Sequence, residues 1–503
     1  MYCRTRILFI SLIIILGSFF FSASAQDQPG NRDSVVSTIL NQKRFIQVVL
    51  PSNYKSGSTD KYDVLYVLDG EGNTKLAEDI SKFIQSEAFM PPTIIVGVIN
   101  IDRDHDLTPY HVAEPKTSGG ADKFLGFLKN ELIPYVNKTY PSNGDNTIFG
   151  HSLGGLFVMY ALLNEPQTFK SYIAADPSFW FNHKALYKMA ADKLPGLTNL
   201  NRTLYISGRE GWEYKSQGIV GMDSIIKADA PPDLIWKAMP YPGETHGSLR
   251  LKSMYDGLKF TYSGFINANV TLHPMNGILL KDKPTLAWVV SDYSKVHYTT
   301  DGSEPTLASP KWTDAVWITG PATLKAKSFG NRDVYNKTIT GEFKIGKALP
   351  PKSKAGDFKS GGFNYAYYEG SFDKLPDFKK LTPALKGITD NNFEINKLPR
   401  QKNFALLIDG EIEIKEDGYY LFGLDAVDGS KFYISNQLVM TYDSLQSKGH
   451  TQSYVLPLAK GFYPVRMEYF KKDQGSDLKL IYLLPGSKQP HAVPVPQELQ
   501  YHN

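Results

Sequence analysis

Ser152 stands in Thr147-Ile148-Phe149-Gly150-His151-Ser152-Leu153-Gly154-Gly155. The β-branched and aromatic residues before it read as a buried strand. Leu156, Met159, Tyr160 and Leu163 after it recur at helical spacing, which predicts a helix from Leu153 to about Asn164. A serine on a sharp strand-to-helix turn has its hydroxyl lifted clear of the backbone, at the positive end of the helix that follows. Small residues are expected at Gly150 and Gly154, because a Cβ at either would meet the neighbouring strand or helix. The chemistry such a serine would serve is attack on a carbonyl carbon, with the helix N-terminus steadying the oxyanion.

A serine hydroxyl needs a general base, and the base needs an orienting acid. Of the ten histidines, His246 in Gly243-Glu244-Thr245-His246-Gly247-Ser248 is the expected base. It follows the apolar strand 234–239 and fits the order nucleophile, acid, histidine that serines on such turns use. His151 adjoins the nucleophile but points the wrong way from the turn. It is expected beside the substrate pocket or in packing, with Trp180 as a second pocket residue. Three carboxylates follow strands and could orient the base: Glu210 in Ser207-Gly208-Arg209-Glu210, Glu213, and Asp176 in Ala175-Asp176-Pro177-Ser178. Glu210 is preferred, because it follows strand 203–206 at its C-terminal end. The oxyanion needs two backbone N–H groups: Leu153 for one, and Gly70 or Glu71, in the Asp69-Gly70-Glu71-Gly72 loop after strand 64–68, for the other. There is no His-Glu-x-x-His, and the crowd of Asp102, Asp104, His105 and Asp106 is not expected to hold a metal. No cofactor is expected.

The elements that must position these residues form an α/β rhythm over 35–268. Strands are expected at 45–50, 62–68, 93–99, 147–149, 171–174, 203–206 and 234–239. A helix is expected at 123–137, with Phe124, Phe127, Leu128 and Leu132 along one face. After residue 268 the pattern turns to strands broken by turn signals such as Asp301-Gly302, Thr319-Gly320-Pro321 and Lys415-Glu416-Asp417-Gly418. Pro350-Pro351-Lys352-Ser353-Lys354-Ala355-Gly356 reads as a linker between two β modules, 270–347 and 358–490. Arg4 and Arg6, the apolar run 7–21 and Ala23-Ser24-Ala25 read as a signal peptide over 1–25, so a periplasmic or extracellular protein is expected. The single cysteine, Cys3, lies within it, so no thiol or disulfide chemistry is expected. Formal net charge is +4, and +2 without Arg4 and Arg6, with no long basic run, so nucleic acid is not an expected partner. No later segment is long and apolar enough for a membrane span.

Residues 40–265 resemble the esterase D-like branch of the α/β-hydrolases, which includes feruloyl and acetyl-xylan esterases, S-formylglutathione hydrolases, antigen-85-type acyltransferases and ferric-siderophore esterases. The resemblance rests on Val64-Leu65-Tyr66-Val67-Leu68-Asp69-Gly70, Val96-Gly97-Val98-Ile99-Asn100, the stretch Asp102 to Pro109, Phe149 to Gly155, and Pro242 to Gly247. It implies an α/β-hydrolase domain with a mostly parallel sheet, Ser152 as nucleophile, His246 as base, and the glutamate after the Gly208 turn, most simply Glu210, as acid. Asp176 departs from the pattern, because relatives often carry serine before Pro-Ser in this pocket-lining segment.

Residues 270–347 resemble the small β-sandwich at the C-terminus of chitobiases and β-hexosaminidases, through Val296 to Pro305 and Thr323 to Ser328. Residues 358–490 resemble the anthrax protective-antigen type of β-sandwich, through Gly418 to Phe422, Asp428 to Ile434 and Gly461 to Tyr469. Its sugar-binding members often hold Ca²⁺ through two consecutive aspartates. Val427-Asp428 stands there in this chain, so a calcium site is not expected. Together these features imply an exported serine carboxylic-ester hydrolase acting on acetylated or feruloylated carbohydrate or another small ester, with glycan contact by the C-terminal modules. The alternatives are a ferric-siderophore esterase and a non-catalytic carbohydrate-binding surface protein on a hydrolase scaffold.

Overall fold

The computed structural model describes residues 31–265, 270–290, 295–352, 358–390, 393, 397–426, 428–442, 450–472, 478–484 and 493–502. The signal segment 1–25, Val427 and the second half of the expected linker lie outside the described residues. The chain divides into two compact units, one reaching to residue 258 and the other starting at 259 and including 88–90.

The first unit is built on eight strands: β1 (Asn31–Ser37), β2 (Gln42–Val49), β3 (Tyr62–Val67), β4 (Thr93–Val98), β5 (Ser142–His151), β6 (Ser171–Ala175), β7 (Arg202–Arg209) and β8 (Leu234–Tyr241). Their spatial order is β1-β2-β4-β3-β5-β6-β7-β8. From β4 to β8 all neighbours run parallel, while β2 is antiparallel to β4 and to β1. Its helices are α1 (Gly70–Ser86), α2 (Arg103–Leu107), α3 (Ala121–Phe127), α4 (Ile133–Thr139), α5 (Leu153–Asn164), α6 (Phe181–Lys193), α7 (Trp212–Ser216), α8 (Ile219–Asp229) and α9 (Leu249–Thr261), whose last residues pass into the second unit. The expected helix at 123–137 is α3 and α4 joined by one π turn, Leu128–Leu132.

Strands β3 and β4 are buried at every residue, as a parallel sheet covered on both faces requires. Val64 and Tyr66 face a core shared with Phe157 and Leu156 of α5. Leu65 and Val67 are equally buried. On the latter side a Cβ added to Gly257 of α9 would meet the Ile173 side chain at 2.6 Å, so this helix lies directly on the strands. Helix α5 is buried from Gly154 to Leu163, which is why its sequence is apolar all round rather than on one stripe. An ion pair buried on both sides lies inside this unit: Arg44 of β2 donates to Asp106 of α2 at 2.7 Å, with side chains 1% and 3% exposed. The guanidinium lies over the rings of Phe124 and Phe127.

The second unit is strand-rich. A three-stranded sheet joins Thr271–His273, Thr285–Val290 and Ala315–Ile318. A longer sheet crosses the boundary between the two β modules. In it Asn276–Leu279 lies between Lys337–Ile345 of its own module and His450–Leu458 of the other, parallel to both. The modules that turn signals separate therefore share backbone hydrogen bonds. The chain at and just before the expected linker also joins in, with Leu349 N–H donating to Pro457 O and Lys352 N–H to Phe462 O. A second sheet centred on Phe404–Ile414 and Gly461–Lys471 closes the sandwich over Tyr420, Phe422, Phe432, Tyr463 and Tyr469. Asp428, where the resemblance places one of the two aspartates of calcium-holding members, is buried and accepts the Lys472 N–H at 2.8 Å. Among the described residues no helix is long and apolar enough to cross a membrane.

Candidate active site

Strand β5 ends at His151 and α5 begins at Leu153, so Ser152 alone makes the turn, with φ 60° and ψ −116°. A non-glycine residue holds this conformation only when the surroundings impose it. Here they do: Ser152 N–H donates to Ala175 O, and Ser152 O accepts from Ser178 and Leu156. Gly150 is required as expected, because a Cβ there would sit 2.3 Å from Gly154 O. Gly154 is not: its Cβ would meet nothing closer than 3.5 Å. The second tight position is Gly155, whose Cβ would lie 3.0 Å from Pro177. The Ser152 Oγ is 3.2 Å from Ser178 Oγ, on the segment after β6.

His246 lies between β8 and α9, its side chain 42% exposed. Its Nδ1–H donates to Asp176 Oδ2 at 2.7 Å. Asp176 immediately follows β6, has φ 41°, and its side chain is fully buried. This corrects the preference for Glu210. That residue is exposed past the end of β7, and its backbone N–H donates to Tyr241 O. Glu213 lies on the short helix α7. Neither is hydrogen-bonded to the imidazole, whose Nδ1 is taken by Asp176. The bond from Ser152 N–H to Ala175 O, the last residue of β6, sets the serine turn beside the strand end from which Asp176 projects.

Where β7 ends, the residue turned toward the site is Arg209. Its Nε–H donates to the same Asp176 Oδ2, also at 2.7 Å. Burial raises the cost of charge on Asp176, but the bonds from His246 and Arg209 outweigh it and hold the carboxyl below its ordinary range. His151 packs against the histidine loop: its Nε2–H donates to His246 O at 2.7 Å, with the two rings 4.3 Å apart. Burial, helped by the neighbouring His246, pushes His151 down to about 4, so it is a neutral donor that fixes the histidine loop. Trp180, half exposed, sits at the start of α6.

The segment expected as an oxyanion loop is the first turn of α1. Asp69 caps it in a left-handed conformation, and Gly70 and Glu71 are its first helical residues. The first N–H groups of a helix have no partner within it, so Gly70 and Glu71 on α1 and Leu153 on α5 supply such donors. Asp69 lies close to the start of α5, since a Cβ on Gly154 would be 3.5 Å from its Oδ2. Arg103 clamps the arrangement. Its Nε and Nη2 donate to Asp69 at 2.7 and 3.0 Å, and Nη2 also reaches His151 O at 3.3 Å. Asn100 Nδ2 donates to Asp69 and Glu71. A Cβ on Gly70 would lie 2.6 Å from Gly97 C, so only glycine lets α1 start this close to β4. The crowded loop serves this clamp: Asp102 caps α2 by accepting from His105 N–H, and Asp106 binds Arg44.

Sequence reasoning passed over Arg103, Asn100, Arg209 and Ser178. Asn100 and Arg103 lay inside motifs noted only as a resemblance, Ser178 lay in the segment read as pocket-lining, and Arg209 carries no local signal.

The Esterase family model matches residues 37–196, the Fn3-associated model 289–343 and the PA14 domain model 359–494. The first match contains Ser152 and Asp176 and stops short of His246. The siderophore triacetylfusarinine C esterase of Aspergillus fumigatus is 44% identical over 152 residues, 27% of this chain and 52% of that protein. The ferri-bacillibactin esterase BesA of Bacillus subtilis is 29% identical over 195 residues, 34% of this chain and 66% of that protein. The chain spans about half the length of the first of these relatives. A solved structure of an IroE-like serine hydrolase from Shewanella oneidensis is 28% identical, with TM-score 0.43, over 46% of this chain and 78% of that one.

Proposed function

From a chain that carries an esterase domain followed by Fn3-associated and PA14 domains, we propose a serine carboxylic-ester hydrolase in which Ser152, His246 and Asp176 act together. The observation that carries the reading is the Asp176–His246 hydrogen bond beside a strained serine at a helix N-terminus. Ser152 Oγ attacks the ester carbonyl and His246 Nε2 takes its proton, while the Nδ1–H stays on Asp176. The N–H groups of Leu153 and of Gly70 or Glu71 hold the oxyanion. The tetrahedral intermediate expels the alcohol, which takes the proton back from His246. Water, deprotonated by the same imidazole, then releases the acid from the acyl-enzyme.

The substrate we propose is a siderophore whose backbone is closed by ester bonds. The names of the curated relatives of the esterase domain support this choice. The β modules resemble those of glycosidases and support acylated carbohydrate as the second reading. The test is kcat/KM on a ferric trilactone siderophore against acetylated xylan and methyl ferulate. Preference for the trilactone supports the first reading, and preference for either carbohydrate-type ester replaces it with the second. Export is proposed from Arg4, Arg6, the apolar run and Ala23-Ser24-Ala25, and the mass of the protein recovered from cells tests cleavage after Ala25.

A further inference from the structure

We infer that Arg209 is a positioning residue that keeps the Asp176–His246 pair from trapping a proton on the imidazole. The inference rests on the Ser152–His246–Asp176 reading and adds a member to it. Arg209 Nε and His246 Nδ1 each lie 2.7 Å from one oxygen, Asp176 Oδ2. The other oxygen, Oδ1, is buried with no hydrogen-bond partner. The Arg209 bond is therefore the one side-chain anchor that Asp176 has, apart from the histidine it must orient, among the described residues.

A carboxylate with no exposed surface is poorly screened and attracts a proton onto any imidazole bonded to it. An imidazolium paired with such a carboxylate is a stable resting state, and it has no free nitrogen with which to accept the serine proton. A guanidinium stays charged throughout the working pH range. Bonded to the same oxygen, it offsets the carboxylate charge and weakens its pull on a second imidazole proton, while the Nδ1–H is still oriented.

The topology explains why an arginine stands here. Strands β6 and β7 are parallel neighbours with Ala175 opposite Ser207, so Asp176, one residue past Ala175, and Arg209, the last residue of β7, meet at the strand ends. The acid comes from β6, and the end of β7 supplies the cation. The other charged or titratable groups around His246 are His151 on β5, Arg250 on α9, which donates to Gly247 O, and Glu244 in the same loop, which is paired with Lys252. None of these is altered by replacing Arg209.

The test is the pH dependence of kcat and kcat/KM on a short nitrophenyl ester for wild type, Arg209→Met, Arg209→Lys and Asp176→Asn. The expected result is an acid limb about one pH unit higher in Arg209→Met, with activity partly recovered on the alkaline side. Arg209→Lys, which keeps the charge, should hold the limb near its wild-type position. An Arg209→Met profile that falls by one factor at every pH, or that does not change, overturns the inference. A second readout does not need turnover. The imidazole proton resonance of His246, assigned by its loss in His246→Gln, should titrate at higher pH in Arg209→Met, and in Arg209→Gln if Met does not fold. An unmoved resonance overturns the inference as well. Failure of the underlying reading looks different: Asp176→Asn, or Ser152→Ala, would then retain wild-type turnover.

Discussion

Asp176 and His246 are joined across 70 positions of chain by a 2.7 Å hydrogen bond between Oδ2 and Nδ1, the carboxylate wholly buried and the imidazole 42% exposed. The carboxylate that meets the imidazole thus follows the end of β6, one strand from Glu210, the acid preferred from the sequence. The carboxylates past β7, Glu210 and Glu213, stand outside this contact.

The first prediction separates the three carboxylates. Asp176→Asn reverses the hydrogen-bond preference at Nδ1 and leaves the imidazole in the wrong tautomer, so kcat should fall on the order of 10³–10⁴-fold. Glu210→Gln and Glu213→Gln should stay within about twofold of wild type, as solvent-facing substitutions usually do. Steady-state kinetics on one activated ester checks all three. Loss of activity in Glu210→Gln with a working Asp176→Asn would return the acid to β7.

Ser152 and His246 were legible because their signals are local: a strand-turn-helix pentad, and a glycine-rich loop after the last apolar strand. The acid was not, because which strand end bends toward the histidine is a tertiary property. Asp176 was one of three carboxylates read as following a strand, and nothing local ranked it above Glu210. Helix α1 was read as a loop because Asp69-Gly70-Glu71-Gly72 carries turn residues, although Ala77, Ile80 and Ile84 beyond it are buried at helical spacing. Strand β1 escaped because Asn31–Ser37 is a polar edge strand. The sheet shared by the two β modules leaves no local pattern, since Gly277 pairs with Val455 from the far side of the chain.

The second prediction concerns the clamp on the oxyanion donors. Arg103 holds Asp69, and Asp69 caps the helix that supplies Gly70 and Glu71. Arg103→Gln should lower kcat roughly 10–100-fold with little change in KM, because the donors matter most when charge develops on the carbonyl oxygen. A rise in KM at constant kcat would instead assign Arg103 to ground-state binding.

A third prediction addresses stability. Breaking the buried Arg44–Asp106 pair leaves one charge without its partner, so Arg44→Met should cost about 3–5 kcal/mol in urea unfolding. Replacing both, as Arg44→Met with Asp106→Leu, should recover most of that loss. A cost for the single variant within the range of a surface substitution would show that the pair contributes nothing.

The fourth prediction is a pH dependence at the seam of the β modules. His273 Nδ1 lies 2.7 Å from Ser453 Oγ, and burial pushes this imidazole from 6.5 down to about 4. The unfolded chain takes up a proton as pH falls through 6.5, while the folded one refuses it until about 4. This residue's contribution is therefore constant above that window and is lost across it. Denaturation midpoints for the transition of the second unit should fall more steeply between these values in wild type than in His273→Gln. Parallel curves would contradict the assignment.

The measurement that bears most directly on the account is the rate of nitrophenyl acetate hydrolysis by the full chain and by Ser152→Ala at one pH and enzyme concentration. The account predicts turnover in the first and only the buffer rate in the second. Equal rates in the two proteins would contradict it.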